Sequence, residues 1–158
     1  MEKPIVLVIL DGVGKGLAIT MPSRDVKTFY SWFAKDKVPT LEWRMIPVSI
    51  ACGGKFEVPV QVIPFKGLAT VSGAGGGFVG ELRPAKPAVA PGDKVPLDVR
   101  VVGSRSGKAT CELFVRNCGS GKWTKIAGAP LVFAKPGAVS SFSAEVSRAD
   151  EGLVEIED

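Results

Sequence analysis

The chain contains no histidine. That removes the commonest general base and the commonest ligand of a catalytic zinc. It also excludes a Ser-His-Asp or Cys-His device built from this chain alone. Cysteine is scarce: Cys52, Cys111 and Cys118 make an odd set with no CxxC spacing. Such a set suits neither a zinc site nor a disulfide framework. Cys111 falls on the apolar face of an expected strand, which suits a buried thiol. Cys118 follows in a turn, and a Cys111–Cys118 bridge would need both side chains on one face of a hairpin. Long apolar runs are missing too. Ile5 to Leu10 is followed at once by Asp11. That run is too short for a secretory leader, no small-residue cleavage site follows it, and nothing approaches a membrane span. The expectation is a protein made in the cytoplasm, with no membrane partner.

What remains is ordinary for a globular chain of 158 residues, 46% hydrophobic and 23% charged. The 19 glycines and 12 prolines punctuate apolar runs and predict many turns. Net charge is +4, unevenly spread. Residues 81–149 carry eleven bases against five acids, whereas the last nine residues carry five acids and no base. Opposed charge of this kind suits solvated strand faces, or head-to-tail attraction between copies.

Pro4 to Leu10 reads as a strand. Asp11 to Gly16 reads as a glycine-rich turn, and Leu17 to Met21 as the return of a hairpin. Pro22-Ser23 is expected to open the only helix, 23–36. Ser23 would cap it, and Val26, Phe29, Tyr30 and Phe33 would share one apolar face. Lys35 and Lys37 would suit its end, and Pro39 would block its extension. Strands are expected over 42–50 and 56–63. In the second, Phe56, Val58, Val60 and Val62 form one face, and Pro59 marks an edge position. Residues 72–80 include five glycines in nine and read as a linker.

Beyond it the period-two pattern becomes regular. Val95, Leu97, Val99 and Val101 alternate with Pro96, Asp98, Arg100 and Val102; Ala109, Cys111, Leu113 and Val115 alternate with Thr110, Glu112, Phe114 and Arg116; Phe142, Ala144 and Val146 alternate with Ser141, Ser143 and Glu145. Short strands are also expected at 123–127, 131–134 and 153–157. Strands spaced by ~8–12 residues with turn chemistry between them predict a sandwich. The fold class expected is mainly β: an immunoglobulin-like β-sandwich over 81–158, a small N-terminal α+β domain over 1–71 with one helix, and the linker 72–80 between them.

Two resemblances accompany this reading. Ala90-Pro91-Gly92-Asp93-Lys94-Val95, Leu97-Asp98-Val99-Arg100-Val101-Val102 and Gly103-Ser104-Arg105-Ser106-Gly107 resemble the immunoglobulin-like modules of the cell-adhesion-related (CARDB) group and of bacterial surface repeats. In that group a Pro-Gly turn introduces a strand, and a glycine-containing turn precedes the next. The resemblance covers half the chain and implies a fold, not an activity. The antibody-type Cys…Trp…Cys spacing is absent, because Trp123 follows both nearby cysteines.

Lys3-Pro4-Ile5-Val6-Leu7-Val8-Ile9-Leu10-Asp11-Gly12-Val13-Gly14 looks like the opening strand of the cofactor-independent phosphoglycerate mutase and alkaline phosphatase superfamily. There the aspartate ending the strand binds a metal, which would fall to Asp11. That family completes two metal sites with histidines over a far longer chain, and this chain has none. Gly12, Gly14, Lys15 and Gly16 do not make a phosphate loop either. Gly16 stands where Ser or Thr is required, and a strand follows instead of a helix.

The function expected is therefore non-enzymatic, with no cofactor, metal or small-molecule substrate. A structural protein of a virus or phage particle fits best, as a capsid, decoration or tail component that contacts itself or other particle proteins. A homo-oligomer in the virion is the expected state. The alternatives are a cell-surface or secreted adhesion module and a degenerate metal-dependent phosphatase-type enzyme. Trp32, Tyr30, Lys35 and Lys37 are the candidate protein-contact residues. Bases flanking aromatics can also bind nucleic acid, but Tyr30 is assigned to the apolar face, leaving Trp32 alone.

Overall fold

The computed structural model describes residues 4–10, 12–32, 40–86, 90, 93–117, 122–147 and 154–157. The chain is mainly β. Strands β1 (Pro4–Leu10) and β2 (Lys15–Pro22) form an antiparallel hairpin, with Pro4 opposite Pro22 and Leu10 opposite Gly16. The turn uses Gly12 and Gly14 at φ 76° and 78°, which glycine adopts without a Cβ penalty. Gly16 is fixed by space instead. A Cβ there would run into the carbonyl oxygen of Ile9 and meet the Phe65 ring at 2.6 Å.

The expected helix 23–36 is absent. Ser23–Asp25 form one 3-10 turn, and the chain continues as β3 (Val26–Trp32). β3 pairs with β4 (Thr40–Met45) in a two-stranded ribbon, with a register shift between Val26 and Thr28. Val26, Thr28, Phe29, Tyr30 and Trp32 are β-branched or aromatic, and such side chains fit a pleated surface better than a helix. Their spacing matched a helical face, but their residue types did not. Residues 33–36 of that expectation lie outside the described residues. β4 also ends at Met45, so 46–50 are not strand as expected.

Residues 46–60 run without regular structure and return into β5 (Gln61–Lys66), which flanks β2 on the side away from β1. The expected strand 56–63 is thus displaced towards the C-terminus and its faces are exchanged. Ile63 and Phe65 are buried, whereas Phe56, Val60 and Val62 are exposed. Period two gives the alternation of a strand, but which face is covered depends on its neighbour, here β2.

The glycine-rich stretch is structured. β6 (Gly73–Gly75) and β7 (Phe78–Pro84) form a hairpin around Gly76 and Gly77, both at positive φ. β8 (Lys94–Gly103) lies on the other side of β7, and β11 (Val139–Ser147) lies beyond β8, so one sheet runs β11-β8-β7-β6. The second sheet is formed by β10 (Thr124–Phe133), β9 (Gly107–Asn117) and β12 (Val154–Glu157), in the order β10-β9-β12. The two short strands expected at 123–127 and 131–134 are one strand, β10. Gly128 and Pro130 lie within it, and its register shifts between Lys125 and Ala127.

Two hydrophobic clusters hold these sheets. Val95, Leu97, Val99, Val101 and Val146 meet Leu113, Leu131 and Phe133 between the two C-terminal sheets. Cys111 is half-buried and packs against this cluster; Cys118 lies outside the described residues. The second cluster joins Ala18, Ile63, Phe65 and Leu68 to Val79 and Val102. Val101 and Val102 are consecutive and both buried, so β8 presents opposite faces to two different cores. The β1-β2-β5 sheet therefore packs on the outer face of β7 and β8. Full burial of each such aliphatic side chain is worth about 1.5–3 kcal/mol. Among the described residues no helix is long and apolar enough to cross a membrane.

Candidate protein–protein interface

Among the described residues, the segment between β4 and β5 carries a run of exposed apolar side chains. Ile46, Val48, Ile50, Phe56 and Val60 are all exposed, Ile50 at 54%. Val62, the first outward residue after it, is 53% exposed. Isolated exposed apolar residues are normal, but a run of them along one segment marks a contact surface.

The segment is tied at both ends. Ile46 N–H donates to the Asp25 carbonyl at 3.1 Å, closing the foot of the β3–β4 ribbon. At the return, Gly77 N–H donates to Gln61 Oε1 at 3.2 Å. Between these ties a tight turn carries a Gly54 N–H to Ala51 carbonyl bond of 2.8 Å, with Gly53 at φ 77°. Cys52 lies in that turn as an exposed free thiol. The segment is thus an arm with a turn at its tip.

The residues singled out from sequence are distributed as follows. Tyr30 lies on β3 and is exposed, not on a buried helix face. Its hydroxyl donates to Glu42 Oε2 at 2.7 Å, directly across the ribbon. Trp32 occupies the last position of β3, opposite Thr40. Lys35 and Lys37 lie outside the described residues, as does Asp11. Among the described residues no group of three or more His, Cys, Asp or Glu side chains could hold a metal. Glu155 stands opposite Arg116 in the β12–β9 register.

The Tyr30 phenol titrates above its ordinary value. The hydrogen bond to Glu42 is the main cause, and the negative charge of Glu42 adds to it, because ionisation would place a phenolate beside a carboxylate. Tyr30 is the only tyrosine, so its absorbance reports the site alone. Spectrophotometric titration is expected to show a raised midpoint, and Glu42→Ala to bring it back down towards ~10. An identical midpoint in both proteins would exclude this pairing in solution.

Among the described residues one charged side chain is fully enclosed. Glu81, on β7, is 1% exposed. Its Oε1 accepts from Ala69 N–H at 3.1 Å, Thr70 N–H at 3.0 Å and the Thr70 hydroxyl at 3.1 Å. Its Oε2 lies 3.7 Å from Arg100 Nη1, longer than a hydrogen bond, and Arg100 is its cross-strand partner. These contacts fix the loop after β5 against β7. The Thr70 hydroxyl is held as a donor to this carboxylate. No sequence signal marks this role, because an isolated Glu in a strand reads as a solvated position.

Comparison with protein families, with curated proteins and with solved structures finds no match to this chain.

Proposed function

We propose that this chain is a non-enzymatic structural protein that works through protein–protein contacts, as a component of a virus or phage particle. The observation that carries the reading is the arm of 46–60. It holds a defined path, tied at both ends, while presenting apolar side chains to water. Leaving that surface uncovered forgoes burial worth about 25 cal/mol per Å². A partner surface that covers it recovers that energy.

The strand order supports an immunoglobulin-like sandwich as the framework. The chain crosses from β8 to β9 in the facing sheet, returns at β11 to pair with β8, and crosses again at β12 to pair with β9. Such a framework is rigid and displays edges and loops, which suits an assembly role. Sedimentation of the purified chain with its source particle tests the reading. Co-sedimentation that is lost in an Ile50→Asp/Phe56→Asp double variant is the expected result. A chain that stays free of any particle, and monomeric at every concentration, would overturn it.

A further inference from the structure

Among the described residues the sandwich is open along one side. β12 pairs with β9 only from Phe114 to Asn117. Over 107–113 the strand described beside β9 is β10, on its opposite edge. Next to this stretch lies an apolar groove of about 270 Å³, running between β9 and the β6–β7 hairpin. Phe78, Gly80 and Leu82 line one wall, and Ala109, Cys111 and Leu113 the other. The small residues Gly80, Ala109 and Cys111 make the room. The same chain thus carries a sheet edge with space for a strand, and an apolar arm outside any sheet.

We propose that 54–60 of a second copy adds to β9 as an antiparallel strand and fills this groove, which is how the assembly suggested above begins. The inference rests on that assembly reading and specifies its contact. Continuing the β12 register, in which Glu157 faces Phe114, the next seven positions of β9 would face Gly54 to Val60. Phe56 then meets Cys111, Val58 meets Ala109 and Val60 meets Gly107, each larger side chain against a small one. The outward positions match in charge. Lys55 faces Glu112, whose carboxylate already pairs with Lys125 on β10 and would be shared between the two cations, and Glu57 lies diagonal to Lys108, within the reach of long side chains across a pair of strands. Pro59 lacks an N–H and so suits a strand paired at an edge. The other half of the arm, Ile46 to Ile50, carries no charge to set a register.

The partner is another copy because the arm's own ends are tied at Asp25 and Gly77 while Ile50, Phe56 and Val60 stay exposed on its own chain. Each copy offers one arm and one groove. Association is therefore a reciprocal dimer or a head-to-tail series.

Complementation between two variants of the full chain tests this. Val58→Arg spoils the arm and leaves the groove. Gly80→Leu fills the groove and leaves the arm, and Gly80 has room for it: a Cβ there has its nearest neighbour, the Gly73 carbonyl oxygen, at 3.9 Å. Analytical ultracentrifugation is expected to show wild-type association weakened about 30-fold or more in either variant. An equal mixture of the two is expected to recover a heterodimer, because one intact arm meets one intact groove. Unchanged circular dichroism and melting in each variant exclude unfolding as the cause. Wild-type association that survives both variants, or a mixture that does not recover, overturns the arm-in-groove contact and leaves the broader assembly reading standing. A wild-type chain that is monomeric at every concentration overturns the inference. If that chain still binds its particle, the assembly reading survives without it.

Discussion

Replacing Phe133 with alanine is expected to cost about 3–5 kcal/mol of folding stability. Phe133 ends β10, opposite Gly107, and is only 3% exposed. Its ring lies 5.6 Å from that of Phe78 at a 42° tilt, a ring–ring contact that adds to the value of burial alone. It also presses on Gly103, where even a Cβ would stand 3.0 Å from the ring. The backbone of β8 therefore approaches the aromatic face directly, and glycine at 103 is what permits it. Truncation would remove the ring from between Phe78 and Gly103 and leave a void that a β-sheet backbone cannot collapse to fill. Urea unfolding should show a lower midpoint with an unchanged slope. Phe133→Leu, which keeps most of the volume, should cost less, under about 2 kcal/mol. Equal losses in both variants would mean that the ring is not packed as described.

How much of this was legible in the sequence divides at the glycine-rich hairpin. From Lys94 onwards the alternation of Val95, Leu97, Val99 and Val101 marks a strand and the face that meets the facing sheet; Val102 is buried on the other face, under the β1-β2-β5 sheet, which alternation alone does not show. Upstream the same kind of reading failed where its ambiguity is physical. Val26, Phe29, Tyr30 and Phe33 satisfy a helical spacing, yet the β-branched and aromatic character of 26–32 decides for strand. Phe56, Val58 and Val60 alternate like a buried face but lie on an arm, since alternation reports chemistry and not whether a covering layer exists. Five glycines in nine suggested a linker. The hairpin uses two of them for positive φ, at Gly76 and Gly77, and the small Gly80 to leave space at the groove. Composition cannot distinguish a chain that is loose from one that must turn tightly. The exposed arm escapes a sequence reading for the same reason, since its residues carry the alternation of a strand face.

Replacing Glu81 with leucine is expected to cost about 2–4 kcal/mol, although it puts an apolar side chain at a buried position. Hydrophobic replacement of a buried ion pair is tolerated when both partners go together. Here only one would go. Ala69 N–H, Thr70 N–H and the Thr70 hydroxyl would lose their shared acceptor, and Arg100 would lose its cross-strand carboxylate. Arg100 is partly exposed and Ala69 and Thr70 lie at the surface. Water can therefore reach part of what is left, which places the cost below that of severing a fully buried pair. Glu81→Gln separates the two contributions. It keeps a carbonyl oxygen for Ala69 and Thr70 but turns an amide towards Arg100, so it should cost about half as much. Amide hydrogen exchange at Ala69 and Thr70 is the decisive readout. Protection should vanish in the leucine variant and persist in the glutamine variant. The loop it pins follows directly on β5, and the next residue buried between the two sheet systems is Leu68. Loss of Glu81 should therefore loosen the β1-β2-β5 sheet before the sandwich. Exchange protection that falls first across β2 and β5, with β9 and β10 still protected, would display that order. Uniform loss across all strands would instead make the chain one cooperative unit, with Glu81 serving both cores equally.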